Sequence, residues 1–131
     1  MRRPLTQLIL TLAFTIAGFS YALAEKRVAL VIGNAAYEHT PVLKNPLNDA
    51  RRIAQALKSL DFEVIEGSDQ NIDQMRDTIK AFRSALEGAD VALLYFAGHG
   101  IQVAGKNYLM PVSAKLEDEL DLRFGTISLD H

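Results

Sequence analysis

Apolar residues follow two different spacings along the chain, and their succession predicts strands separated by helices. The continuous apolar run at residues 28–32 (VALVI) ends at Gly33, which is typical of a strand buried on both faces. Asn45 and Pro46 then predict the start of a helix, with an N-cap followed by proline at the first helical position. Helical spacing relates the apolar residues that follow, namely Leu47, Ala50, Ile53, Ala54, Leu57 and Leu60.

The same order repeats further along the chain. Residues 62–65 predict a second strand closed by Gly67, and Asn71 and Gln74 have the spacing of a capping box at the start of a second helix. Residues 91–96 (VALLYF) predict the third and most apolar strand. The apolar stripe of the second helix comprises Ile72, Met75, Ile79, Phe82 and Leu86. This order of elements predicts an α/β fold with one parallel sheet and right-handed crossovers.

The pattern changes after the third strand. Residues 101–110 predict a small hairpin, with its turn at residues 104–106. Residues 116–121 are acidic and are expected to be exposed, while Ser128 is expected to cap a further helix. An α/β domain with only three core strands is expected to be incomplete.

Composition and charge narrow the possible partners. Apolar residues make up 49% of the 131-residue chain and charged residues 23%, which suits a globular core. The formal charge is -2 and no basic stripe is present, so nucleic acid is not an expected partner. The chain has no cysteine, which excludes disulfides and thiolate zinc sites. The acids at residues 117–121 lack the spacing of a calcium loop, and no Gly-rich phosphate loop is present, so no metal or cofactor is predicted.

The N-terminus has the organisation of a secretory signal peptide. Arg2 and Arg3 precede the apolar residues 5–23, and residues 22–24 (ALA) form a signal-peptidase site. We therefore expect residues 1–24 to be a signal peptide cleaved after Ala24, and the protein to be periplasmic or secreted. The alternative is an uncleaved membrane anchor, for which this run is barely long enough.

Candidate chemistry gathers where the predicted strands end. In open parallel sheets, ligands bind beyond the carboxyl ends of the strands, and His99 follows the third strand between two glycines. Such a histidine can act as a general base beside the exposed amide of Gly100, or it can simply fill a turn. Asp49 belongs to the first turn of the first helix, where an acid favours the helix dipole without any further role. Its functional interpretation is a buried carboxylate that receives a basic substrate side chain. Turns and caps account equally well for Asn34, Asn45 and Asn48.

Three segments together resemble the caspase-like cysteine peptidases, specifically the metacaspase, paracaspase and bacterial orthocaspase branch. They are RVALVIGNAAY, LKNPLNDARRIAQALKSLDFEV and DVALLYFAGHGIQVAGKNYLMPV, and they cover residues 27–112. The resemblance implies a caspase-like three-layer sandwich, with a parallel sheet and flanking helices. It implies that His99 is the catalytic histidine, that the Gly100 amide belongs to the oxyanion hole, and that Asp49 is an S1-pocket acid. The implied substrate is a peptide or protein cleaved after Arg or Lys.

The chain departs from the family pattern at the nucleophile. Members of the family carry their cysteine in an Asp-Ala-Cys-Arg-like motif about 50 residues beyond the histidine, and this chain ends before that point. We therefore expect residues 25–131 to be a p20-like domain, truncated before the catalytic cysteine and inactive by itself. The alternative is a non-catalytic caspase-like interaction module. An open sheet edge would favour self-association in either case. Ser113 replaces a common aspartate, and no calcium site is carried over.

Overall fold

The computed structural model describes residues 24–130. All of the expected signal peptide except Ala24 lies outside these residues. The part of the chain that is described contains no helix both long enough and apolar enough to cross a membrane. Its elements, in chain order, are β1 Arg27–Gly33, α1 Pro46–Ser59, β2 Phe62–Ser68, α2 Ile72–Ala85, β3 Val91–Ala97, β4 Gly100–Val103, β5 Lys106–Leu109, α3 Glu119–Gly125 and β6 Ile127–Ser128.

The main sheet is parallel, as the alternation of strands and helices predicts. Its strand order is β2-β1-β3, with β1 in the centre. The register runs without a bulge, because Arg27 pairs with both Phe62 and Val91 at one end of β1. Gly33 pairs with Ser68 and Ala97 at the other end. The carboxyl ends of all three strands therefore meet at one edge of the sheet.

The central strand supplies core residues to both faces of the sheet. Ala29 and Val31 pack with α1, whose residues Ala50, Ala54 and Leu57 are buried against them. The alternate residues of β1 pack with α2 in a second cluster of buried residues, which comprises Val28, Leu30, Ile32, Met75, Phe82 and Leu109. Because successive side chains of a strand point to opposite faces, α1 and α2 cover opposite sides of the sheet. The result is the three-layer arrangement that the resemblance implies.

The predicted N-caps of the two main helices both lie where the sequence places them, but only Asn71 makes the expected capping hydrogen bonds. The Asn71 side chain accepts from the Gln74 amide at 2.9 Å, and the Gln74 side chain accepts from the Asn71 amide at 2.9 Å. The capping box of α2 is therefore complete. Asn45 lies at the N-cap of α1 and Pro46 is the first helical residue, but the Asn45 side chain makes no capping hydrogen bond.

Two details of the predicted pattern are wrong. Leu60, assigned from the sequence to the apolar face of the first helix, lies at the C-cap of α1 and is 57% exposed. Gly67 does not close the second strand, because β2 continues to Ser68 and Gly67 is buried within it. A Cβ at Gly67 would overlap the end of the Gln70 side chain, so that side chain would have to move.

The most apolar strand lies at an edge of the described sheet. β3 pairs with β1 along one side, and no strand of the described residues pairs with its other side. Leu94 is 47% exposed as a result. A groove of about 1090 Å³ lies beside it, with a floor that includes Leu94, Phe96 and Ile127.

A second, smaller sheet follows β3 and contains the predicted hairpin. β4 and β5 are antiparallel and are joined at Ala104 and Gly105, which have φ of 51° and 77°. Positive φ at both residues is the signature of the type I′ turn favoured in two-residue hairpins.

The predictions for the rest of this region are confirmed only in part. The acidic residues 117–119 are exposed as expected, but they lead into a helix that the sequence analysis did not predict, α3, whose N-cap Asp118 accepts from the Asp121 amide at 2.9 Å. Ser128 does not cap a helix, because it pairs with Tyr108 in the short strand β6. β6 pairs with β5 of the hairpin, about 20 residues earlier in the sequence, so the local pattern around Ser128 does not reveal this strand.

Candidate active site

The ends of β1 and β3 meet the start of α1 at the carboxyl edge of the main sheet. The amide of Asn34 donates to the carbonyl of Ala97 at 2.8 Å, so the chain remains tied across the two strands just beyond their last pair. Gly33 allows the helix to approach, since a Cβ there would lie 2.7 Å from the Pro46 carbonyl oxygen. This edge is the one at which the sequence places the candidate site.

His99 follows β3 and is held by a specific contact of its ring. Nε2 lies 2.7 Å from the carbonyl oxygen of Pro41 in the loop after β1. A carbonyl oxygen can only accept a hydrogen bond, so Nε2 carries a proton in this contact. In the neutral imidazole Nδ1 is then unprotonated, and it is the nitrogen that can act as a general base.

The backbone at His99 is held on both sides. Its amide donates to the Tyr37 hydroxyl at 2.8 Å, and its carbonyl accepts from the Met110 amide at 3.0 Å. Gly98 permits this geometry, because a Cβ at that position would lie 2.5 Å from the Tyr37 hydroxyl oxygen. The glycine before the histidine therefore has a packing reason that does not depend on catalysis.

Tyr37 lies under the imidazole ring. The two ring centroids are 4.5 Å apart and the rings are inclined by 60° in an edge-to-face contact. Tyr37 is only 4% exposed, and burial raises the pKa of its hydroxyl above the usual 10.0. The hydrogen bonds with the His99 backbone and the Asn34 side chain oppose this rise, while the negative charge of Asp69 adds to it. The hydroxyl therefore remains protonated near neutral pH and can donate to the Met110 carbonyl at 2.9 Å.

Asn34 is fully buried and connects three segments at this edge. Its side-chain oxygen accepts from the Gln70 amide at 2.9 Å, and its side-chain nitrogen donates to the Met110 carbonyl at 3.3 Å. Asp69 holds the same loop from outside, because one carboxylate oxygen accepts from the amides of Ala35 and Ala36 at 2.8 and 2.9 Å. The loop between β1 and α1 is thus fixed to the segment after β2 through the Asp69 side chain and the Gln70 backbone amide.

The other predicted site residues, Gly100 and Asp49, lie at the same edge of the sheet. Gly100 is exposed, begins β4 and pairs with Leu109. Asp49 lies in the first turn of α1 and is exposed, so the expected burial of its carboxylate is not observed. His39 is also exposed and lies 3.9 Å from Glu38, away from the contacts of His99.

Sequence reasoning missed Tyr37, Pro41 and Asp69. Tyr37 had one usable signal, since it is a large aromatic residue in a turn-rich loop and such rings are often buried. Pro41 acts through its backbone carbonyl, which no side-chain pattern reveals. Asp69 has φ of 47°, and its position beside the loop after β1 follows only from the pairing of the strands.

The arrangement provides a proton acceptor held by backbone and aromatic contacts. The chain contains no cysteine that the base could deprotonate. Residues 24–130 also contain no cluster of three or more carboxylate and imidazole side chains able to hold a metal ion.

A parallel sheet between two helices, with a histidine beyond its third strand, is the α/β arrangement expected of a caspase-like domain. The family model described as "Caspase domain" matches residues 26–131. The chain therefore belongs to the caspase domain family.

Two curated relatives are proteins of mammals. The chain is 39% identical over 92 residues to the mucosa-associated lymphoid tissue lymphoma translocation protein 1 of Homo sapiens. It is 38% identical over 92 residues to the homolog of that protein in Mus musculus. The matched region is 70% of this chain but only 11% of each relative. The fold and the family are therefore shared, and most of each relative's length has no counterpart in this chain.

Proposed function

We propose that this caspase-family peptidase domain supplies the general base of a cysteine-type endopeptidase that cleaves proteins after Arg or Lys. His99 would deprotonate the thiol of a catalytic cysteine that lies outside this sequence, and the Gly100 amide would help to stabilise the oxyanion. The observation that carries the proposal is the 2.7 Å contact between His99 Nε2 and the Pro41 carbonyl. That contact leaves Nδ1 as the proton acceptor.

Asp49 would recognise the basic side chain of the substrate. It shares the carboxyl edge of the sheet with His99, because Gly33 at the end of β1 packs against Pro46 in the same helical turn. An exposed carboxylate attracts a cation weakly in water, but a peptide lying across this edge would exclude solvent and strengthen the attraction. The same carboxylate would repel an acidic side chain.

The chain by itself should have no peptidase activity. A general base without its thiolate lacks the covalent route to an acyl-enzyme. Purified residues 25–131 should therefore leave a fluorogenic Arg-P1 peptide uncleaved. Hydrolysis that disappears in His99→Ala would contradict this expectation, since it would require a nucleophile other than cysteine.

The proposed specificity is tested in any longer product of the same reading frame that contains a cysteine motif. His99→Ala should abolish cleavage of Arg-P1 peptides, while His39→Ala, which removes an exposed imidazole from the neighbouring loop, should not. Asp49→Asn should lower kcat/KM for Arg-P1 peptides by about 10-fold or more. The matched control is Asp73→Asn, which removes an exposed acid from the first turn of α2. Efficient cleavage after Asp by the unmutated protein would contradict the proposal.

A second candidate function is a non-catalytic interaction module. The open side of β3 and the half-exposed Leu94 favour it, because an unpaired apolar strand edge can pair with another chain. A second copy of this chain is the simplest partner, since it would bring the same edge.

The expected export of the protein is a separate proposal. Removal of residues 1–24 would release a mature protein that begins at Glu25, in the periplasm or outside the cell. The intact mass of the protein recovered from that compartment measures the cleavage directly. A membrane-bound product that retains Met1 would instead support the anchor.

A further inference from the structure

The Tyr37 hydroxyl joins three segments that the main sheet leaves separate. It accepts from the His99 amide at 2.8 Å and donates to the Met110 carbonyl at 2.9 Å. Both roles are fixed by the partners, because an amide can only donate and a carbonyl can only accept. One hydroxyl therefore connects the loop after β1, the turn after β3 and the residue after β5. We refer to these two hydrogen bonds as the Tyr37 clamp.

The loop that carries Tyr37 also carries the acceptor for the His99 ring. Pro41 lies four residues further along this loop, and its carbonyl oxygen contacts His99 Nε2 at 2.7 Å. The loop is itself fixed, since the amides of Tyr37 and Leu43 both donate to the Ala35 carbonyl at 3.0 Å. The Glu38 amide donates to the Val112 carbonyl at 2.9 Å. The ring of Tyr37 and the carbonyl of Pro41 thus reach His99 from one rigid unit.

We propose that Tyr37 is a positioning residue that holds the His99 imidazole in the Nε2–H tautomer, with Nδ1 free to accept a proton. The clamp fixes the backbone of His99, and the edge-to-face contact at 4.5 Å restricts the ring. With both in place, the ring meets the Pro41 carbonyl and the proton stays on Nε2. The role rests on the proposed function of His99 as general base.

A purely structural tyrosine makes a different prediction. If Tyr37 only stabilises the fold, Tyr37→Phe lowers stability but leaves the His99 tautomer unchanged in the molecules that are folded. If Tyr37 positions the ring, the tautomer itself changes. The tautomer is read from the chemical shifts of the two ring nitrogens, and no catalytic turnover is required.

The experiment is long-range proton–nitrogen NMR on nitrogen-labelled residues 25–131 at pH about 8, where ordinary imidazoles are neutral. The chain has three histidines, so His99→Gln assigns the His99 signals. In the unsubstituted protein, Nδ1 of His99 should have the shift of an unprotonated nitrogen and Nε2 that of a protonated one. In Tyr37→Phe both shifts should move toward the averaged values of the exposed His39. The His99 amide should also exchange with solvent at least about 10-fold faster.

Tyr108→Phe is the matched control. It removes the same atom from a half-buried tyrosine in β5, and the His99 shifts should stay unchanged. A folded Tyr37→Phe protein in which the His99 tautomer is unchanged would overturn the proposal. If Tyr37→Phe does not fold, an Nδ1–H tautomer in the unsubstituted protein would still contradict the proposal.

Activity separates this proposal from the proposed function. In a longer, cysteine-containing product, Tyr37→Phe should lower kcat by about 10- to 100-fold with KM nearly unchanged, since misplacing a general base impairs the chemical step. Full activity in His99→Ala would refute the proposed role of His99 as general base. It would not affect the conclusion from NMR on how Tyr37 influences the His99 tautomer. Full activity in Tyr37→Phe, with His99→Ala inactive, would refute the positioning role alone.

Discussion

At His99, the Pro41 carbonyl and the Tyr37 hydroxyl together determine which ring nitrogen can accept a proton. The Pro41 carbonyl requires a proton on Nε2, and the Tyr37 hydroxyl holds the backbone from which the ring projects. Both groups belong to the loop after β1, which Asn34 and Asp69 anchor to the segment after β2. The geometry of one histidine therefore depends on three segments that are distant in sequence.

The buried Tyr37 hydroxyl should make stability depend on alkaline pH. Because burial raises its pKa, the folded state binds the phenolic proton more tightly than the unfolded state does. The stability that the protonated Tyr37 hydroxyl contributes is complete below pH about 10, the ordinary pKa of tyrosine. It is lost as the pH rises through the raised pKa of the folded state. Urea unfolding should therefore show that the stability advantage over Tyr37→Phe shrinks above pH about 10. The negative charge of Asp69 raises the pKa of Tyr37 further. The His99 ring packs against the ring of Tyr37. A constant difference between the two proteins up to pH 12 would contradict this assignment.

At the scale of elements, the two main helices begin with asparagines that have unequal roles. Asn71 completes a reciprocal capping box, whereas Asn45 occupies the N-cap of α1 with φ of -102° and ψ of -20° and makes no side-chain cap. Helical φ and ψ at Asn45 turn its side chain away from the geometry in which an N-cap accepts from the first-turn amides. The start of α1 is secured instead by Pro46, whose missing N–H needs no partner.

This difference predicts unequal costs for the same substitution. Asn71→Ala should lower the free energy of unfolding by about 1 kcal/mol, because the Gln74 amide loses its acceptor. Asn45→Ala should change it by less than about 0.5 kcal/mol, as is usual for exposed positions. Chemical denaturation of both variants measures the two values. Equal losses would show that Asn45 caps its helix in solution.

At the scale of the whole molecule, β3 is paired on one side only among the described residues. Its inner side pairs with β1 and packs in the sheet, while its other side and Leu94 face a groove of about 1090 Å³. Apolar surface of this kind is a site of association in soluble proteins. The rim of the groove is basic, because Arg76, Lys80 and Arg83 of α2 line it.

Self-association through this edge should respond to a single charge. Leu94→Lys should shift residues 25–131 from larger species toward the monomer, since a charge at an edge strand opposes pairing. The matched control is Leu60→Lys, which places the same charge at a leucine that is 57% exposed but lies at the end of α1. Sedimentation velocity over a range of concentrations measures the species. A monomer in all three proteins would rule out the association.

The elements that pack by local periodicity could be predicted from the sequence. The alternation of VALVI and VALLYF with amphipathic helices predicts the parallel sheet, and the Asn71–Gln74 spacing predicts a capping box that forms. Each of these signals lies within a few residues of the structure that it specifies. The helix α3 was missed because its acidic residues resemble a loop, although Asp118 caps it.

The sequence by itself determined the three strands of the main sheet, the β4–β5 hairpin, the helices α1 and α2, and the position of His99 beyond β3. Only the tertiary structure decided that β3 lies at the edge of the described sheet, that Asp49 is exposed, and that Ser128 pairs in β6. It also decided which partners surround the His99 ring, since Tyr37 lies 62 residues away from it and Pro41 58 residues away. The physical reason is range: periodicity and capping act between neighbours along the chain, whereas the partner of a ring nitrogen is set by which loops the sheet brings together.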